Sequence, residues 1–170
     1  MLTIRPETPA DIPAIRRVNE LAFGRPEEAQ LVEKLRDAAA ITLSLVALQN
    51  EQVVGHILFS PATIVAEDGS SETAVALGPM AVLPEWQNQG TGGALIRQGL
   101  AECRSAGYGL VIVLGHRDYY PRFGFVAAAN HNIHYSQPLP EGVFMVAELR
   151  LNALNHAQGV VHYHPAFADV

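Results

Sequence analysis

Ala74-Val75-Ala76-Leu77-Gly78-Pro79-Met80-Ala81-Val82, followed by Gln87-Asn88-Gln89-Gly90-Thr91-Gly92-Gly93, is the stretch that decides the fold. The first run reads as an apolar strand, and the second as a glycine-bearing turn that leads straight into a helix. From Gly92 to Ala106 the spacing is helical. Leu95, Ile96, Gly99, Leu100 and Cys103 share one face, and Arg97, Gln98, Glu102 and Arg104 the other. Gly107 is placed to stop that helix. A second apolar strand, Leu110-Val111-Ile112-Val113-Leu114, and the cluster Tyr119-Tyr120-Pro121-Arg122-Phe123-Gly124-Phe125 follow.

Working outward, Leu2–Arg5 reads as a first strand. Thr8-Pro9-Ala10-Asp11 opens a helix whose apolar face is Ile12, Ile15, Val18, Ala22 and Phe23, and Gly24 ends it. Pro26-Glu27-Glu28 starts a second helix, with acids in its first turn, where the helix dipole favours them. Leu43–Leu48 and Val53–Phe59 pair as strands, Pro61 interrupts the second, and Ile64–Ala66 resumes it. Asn130–Glu141 reads as a loop and Val143–Leu149 as the last strand. The element order is α+β: a mixed, mostly antiparallel sheet with helices on both faces and one strand–helix–strand crossover at its centre. Residues 1–150 form the expected domain, and 151–170 a tail packed on it.

The chain has 170 residues, 49% apolar and 16% charged, which fits a globular chain with a substantial core. A formal net charge of −6 argues against a general binder of nucleic acid or anionic membrane. The single cysteine, Cys103, has no partner for an internal disulfide, and its helix position makes it a buried structural residue. The N-terminus lacks a secretory pattern, and no apolar run approaches the roughly 20 residues that span a bilayer. A cytoplasmic location is the resulting expectation.

The turn carries the chemistry. The first N–H groups of a helix have no intrahelical partner, the dipole adds positive charge there, and small residues admit phosphate oxygens. Gly90, Thr91, Gly92 and Gly93 suit that use, and the Gln87 side chain offers a further donor. The phosphate loop of nucleotide hydrolases fails here, because Ala94-Leu95 follow Gly93 where Lys and Ser or Thr are needed. The dinucleotide fingerprint fails because Leu95 stands where its third glycine belongs. The bland alternative is that the glycines only permit a tight turn.

Gln-x-x-Gly-x-Gly, filled by Gln87, Gly90 and Gly92 after an apolar strand, resembles motif A of the GCN5-related N-acetyltransferases. Tyr119-Tyr120-Pro121-Arg122-Phe123-Gly124-Phe125 resembles the aromatic pair, short spacer and Gly-Phe of their motif B, and the resemblance covers about residues 2–150. It implies acetyl-CoA as co-substrate, no metal, and an amine acceptor that is a small molecule or a peptide. It further implies a pair of central strands that splay apart. Met80, Ala81 and Val82 are then the backbone for the pantetheine arm and thioester. Gln87, Asn88, Gln89, Gly90, Thr91, Gly92 and Gly93 hold the pyrophosphate. Tyr120 is the acid that protonates the departing thiolate. The base is open between His116, just past the second central strand, and Glu85, just past the first. Arg25, Glu27 and Glu28 fall where the family lines its acceptor site, although helix capping explains the acids equally well. Pairing of two copies is frequent in the family and remains an open expectation here.

Two competing readings stand beside the enzyme. One is a non-catalytic acyl-CoA sensor on the same fold, and the other a partner-binding protein whose glycine turn is only a turn. His162-x-His164 in the tail has a spacing that can ligate zinc, and His131 and His134 lie in the loop, but no cysteine or clear carboxylate accompanies them, so surface or packing histidines are the reading.

Overall fold

The computed structural model describes residues 1–169. Nine strands form one sheet in the order β1-β2-β3-β4-β5-β8-β6, with β9 beside β3 and β7 beside β9. In chain order these are β1 Leu2–Pro6, β2 Leu43–Gln49, β3 Gln52–Val65, β4 Ser71–Val82, β5 Leu110–Leu114, β6 Val126–Ala127, β7 Ile133–Tyr135, β8 Phe144–Glu148 and β9 Gly159–Tyr163. The helices are α1 Ile12–Phe23, α2 Glu27–Asp37 and α3 Thr91–Ser105. Only β4·β5 and β7·β9 are parallel among the registered ladders, and the other five are antiparallel. The chain divides into two compact units, each built from separate stretches of sequence.

The first unit comprises Met1–Ser60, Gly78–Gly99 and the end of the chain from Pro165. Thr8-Pro9-Ala10-Asp11 does start a helix, but its first turn, Pro9–Asp11, is 3₁₀. The Asp11 carboxylate accepts from the Thr8 N–H at 2.7 Å and from Arg5 at 2.7 and 3.0 Å. Gly24 ends α1 in the left-handed conformation, φ 67°, its N–H donating to the Glu20 carbonyl. The β3 strand is covered on both faces. Successive side chains on a strand point to opposite sides. Gly55 meets Thr91 and Leu95 of α3, whereas the next residue, His56, meets Asn19 of α1. The glycines set the spacing on the α3 side. A Cβ on Gly99 would stand 2.5 Å from the ring of Phe59, which is fully buried.

The second unit comprises Pro61–Leu77 and Leu100–His164. Its core gathers Ile64, Ala74, Ala76, Ile112, Ile133, Phe144, Val146 and Val161. The β4·β5 ladder has three register pairs, Val75↔Val111, Ala76↔Ile112 and Leu77↔Val113, although β4 runs on to Val82. Pro79, which has no N–H, lies just past the last pair.

Three elements depart from the sequence reading. The β3 strand passes through Pro61 without a break. Its ladder with β2 ends at Phe59 and its ladder with β9 begins at Ala62, so Pro61 sits where neither ladder needs a donor. Within Asn130–Glu141, residues Ile133–Tyr135 form a strand. The last strand is β9, pairing with β3 and β7 inside the segment read as a tail. Residue 170 of that tail lies outside the described residues.

Candidate active site

The first unit holds the β4 end and the glycine turn. Leu83 N–H donates to the Val54 carbonyl at 2.9 Å, which ties the end of β4 to β3. Pro84–Trp86 then makes one 3₁₀ turn. Asn88 and Gly90 take left-handed conformations, φ 61° and 87°, and no atom lies within 4 Å of where a Gly90 Cβ would stand. Asparagine and glycine adopt this conformation most readily. The first bond of α3 runs from Ala94 N–H to the Gly90 carbonyl at 3.0 Å. The N–H groups of Thr91, Gly92 and Gly93 precede it and have no helical carbonyl to meet. They form a short row of donors at the positive end of a 15-residue helix.

Two side chains of the turn donate to backbone carbonyls of the segment before it. Gln87 Nε2 donates to the Val82 carbonyl at 2.9 Å, so this amide braces the turn against the strand before it. Gln89 Nε2 likewise caps the Glu85 carbonyl at 3.1 Å. Thr91 is buried, with its methyl facing Gly55. Glu85 is exposed on the 3₁₀ turn.

The second unit holds the aromatic cluster. Tyr120 is 8% exposed. Its ring meets Tyr119 edge-on at 5.3 Å and Phe125 edge-on at 5.6 Å. The Arg122 guanidinium lies 4.8 Å over the Tyr119 ring. Burial, with the neighbouring Tyr119 adding to it, pushes the Tyr120 hydroxyl up to about 12. The hydroxyl is therefore neutral throughout the ordinary pH range. His116 is exposed, and its carbonyl accepts the Tyr119 and Tyr120 N–H groups at 3.1 and 3.3 Å. The fold thus holds Met80–Gly93, Glu85 included, in one unit and His116 and Tyr120 in the other.

Arg25 forms a two-pronged pair with Glu28, with Nε to Oε1 at 2.9 Å. Cys103 is buried, and burial pushes its thiol up to about 12, so it is an inert core residue. Among the described residues no group of three or more His, Cys, Asp or Glu is placed to hold a metal ion. No helix is long and apolar enough to cross a membrane among those residues.

Residues 3–128 match the acetyltransferase (GNAT) domain. The chain is 38% identical over 167 residues, 98% of each protein, to the uncharacterized N-acetyltransferase YhbS of Escherichia coli. It is 44% identical over 133 residues, 77% of this chain and 72% of the relative, to the uncharacterized N-acetyltransferase YjhQ of the same organism. The crystal structure of YhbS in complex with CoA superposes with a TM-score of 0.91 at 37% identity, covering 98% of this chain and 91% of that one. A GNAT acetyltransferase from Brucella melitensis in complex with acetyl-CoA superposes with a TM-score of 0.81 at 40% identity, covering 98% of both. This chain belongs to the GNAT acetyltransferase family and is an N-acetyltransferase.

Proposed function

We propose that the enzyme transfers the acetyl group of acetyl-CoA to a primary amine, a small molecule or a peptide, by direct attack through a tetrahedral intermediate. The observation that carries this reading is the row of free N–H groups at Thr91, Gly92 and Gly93, braced to β4 by Gln87. An acyl-CoA pyrophosphate fits that row, and relatives at about 40% identity were crystallised with CoA or acetyl-CoA. The backbone of Met80, Ala81 and Val82 then faces the pantetheine arm, where β4 has run past its last pair with β5.

The neutral amine forms a bond to the thioester carbonyl carbon, and the carbonyl oxygen takes up the negative charge. A backbone N–H near Val82 serves as its donor. When the C–S bond breaks, the electron pair leaves with sulfur, and Tyr120 gives its proton to the thiolate. The proton released from the acetylated nitrogen restores the tyrosine, so the net change is one proton moved from nitrogen to sulfur. An amine of pKa about 10 reaches the site protonated at neutral pH, and His116 or Glu85 takes off that first proton, directly or through water.

Release of free CoA, followed with a thiol reagent across a panel of amines, tests the reading. At least one primary amine should give turnover, and Tyr120→Phe should lower kcat roughly 100-fold while acetyl-CoA affinity stays within about twofold. Tight acetyl-CoA binding with no release against any amine would leave only a sensor on the same fold. Unchanged turnover in Tyr120→Phe would remove the acid assignment.

A further inference from the structure

We propose that Gly115 is a positioning residue for the acid: its bare Cα forms the seat on which the Tyr120 ring lies, and this inference rests on the acid role given to Tyr120 above. Gly115 follows β5 directly. A Cβ there would stand 3.0 Å from Tyr120 Cδ2 and 3.4 Å from Cζ, and closer still to Cε2. Neither the backbone nor the ring can yield easily. Gly115 N–H donates to the Val143 carbonyl at 2.9 Å, which pins the backbone. Tyr119 and Phe125, the latter 2% exposed, flank the ring edge-on, and the Tyr120 N–H is bonded to the His116 carbonyl.

Backbone conformation gives no other reason for glycine here. Gly24, Gly90, Gly107 and Gly124 have φ between 67° and 95° and open space where a Cβ would go. Gly115 is the reverse case: its φ lies outside the positive range, and the obstacle is the tyrosine ring itself. A methyl at 115 must therefore swing the ring and carry the hydroxyl with it. Displacing a catalytic group by about 1 Å can cost as much as 100-fold in rate.

The test is a double-mutant cycle read in kcat and in acetyl-CoA Kd. Gly115→Ala should lower kcat roughly 10- to 100-fold with Kd within about twofold. In the Tyr120→Phe background the same alanine should lower kcat no further. Wild-type kcat in Gly115→Ala beside an impaired Tyr120→Phe overturns the role of Gly115 and leaves the acid assignment standing. So does a double variant well below Tyr120→Phe alone, because the alanine would then act by another route. Wild-type kcat in Tyr120→Phe sinks the acid assignment and this inference with it. Should Gly115→Ala fail to fold, the comparison moves to Gly115→Ala/Tyr120→Ala. A double variant as stable as Tyr120→Ala alone supports the seat, and one less stable than Tyr120→Ala alone overturns it.

Discussion

The acid proposed at Tyr120 must keep its proton until the thiolate departs, and the burial of that hydroxyl favours this. Burial and the neighbouring Tyr119 move its pKa from 10 to about 12. The sign follows directly: a raised value extends the protonated, working form to higher pH. The alkaline fall in kcat should therefore be no more than slight at pH 10, where an ordinary tyrosine is half ionised, and reach its half-point only near pH 12. A pH–rate series above the pKa of the acceptor amine checks this, and a half-maximal fall at pH 10 would place the acid on another group. The aromatic cluster of Tyr119, Tyr120 and Phe125 was legible in the sequence because its motif is short and local, while the acid role of Tyr120 rests on the proposal above. The use of Gln87 was not legible, since a side-chain amide serves a phosphate or a carbonyl equally well and only the fold offers it Val82. Losing a neutral hydrogen bond costs about 1 kcal/mol, roughly a fivefold change in an equilibrium. Gln87→Ala should thus raise the acetyl-CoA Kd about fivefold by loosening the turn, with kcat at saturation changed less. Isothermal titration beside steady-state kinetics separates the two.

At the scale of elements, α3 reaches β3 over two glycines, and they are not equivalent. Alanine is a better helix former than glycine by about 1 kcal/mol, so Gly99→Ala gains locally. That gain is smaller than the cost of crowding a fully buried Phe59 ring at 2.5 Å, since overpacking a core costs about 1 to 3 kcal/mol. Gly99→Ala should therefore destabilise by up to about 2 kcal/mol net. At Gly55 the nearest atom is the far end of the Leu95 side chain, at 3.0 Å, which has more freedom to turn aside. Gly55→Ala should cost less, and urea unfolding of both variants tests the order. The helical face of α3, the strand β5 and the stop at Gly107 were readable because each is written in contiguous residues. The β3 strand was not, because a proline mid-run argues for a break unless one knows that the strand changes partners there. Nor was β9, whose alternating Val161 and Tyr163 look like any apolar tail until β3 and β7 lie beside them.

At the scale of the whole molecule, stability carries a pH dependence that no local motif announces. Asn19, Ser44 and His56 come from α1, β2 and β3 and meet in the buried core of the first unit. Asn19 Nδ2 donates to the Ile15 carbonyl at 2.9 Å and faces His56 Nδ1 at 3.2 Å. The amide is therefore the donor to the ring, and the imidazole proton resides on Nε2, 2.9 Å from the Ser44 hydroxyl. A second proton would have no acceptor at Nδ1. Burial, and then the charge of Arg36, pull the His56 pKa from 6.5 down to about 3. Above pH 6.5 the ring is neutral whether the chain is folded or not, and its contribution is constant. Below that the unfolded chain takes up a proton that the fold refuses, so stability falls with pH until about 3, by up to roughly 1.4 kcal/mol per unit. Asp11, held at about 2 chiefly by its hydrogen bonds from Arg5 against an ordinary 3.8, adds a further loss in the same direction between those values. Urea unfolding followed by circular dichroism should give a level free energy from pH 8 to 7. By pH 5 it should have dropped by about 2 kcal/mol. His56→Gln cannot take up the proton, so whatever its starting stability, its curve should lack this decline between pH 6.5 and 4. A wild-type curve parallel to that of His56→Gln across that interval would mean that the folded core accepts the proton and that His56 is not the group that limits the molecule in acid.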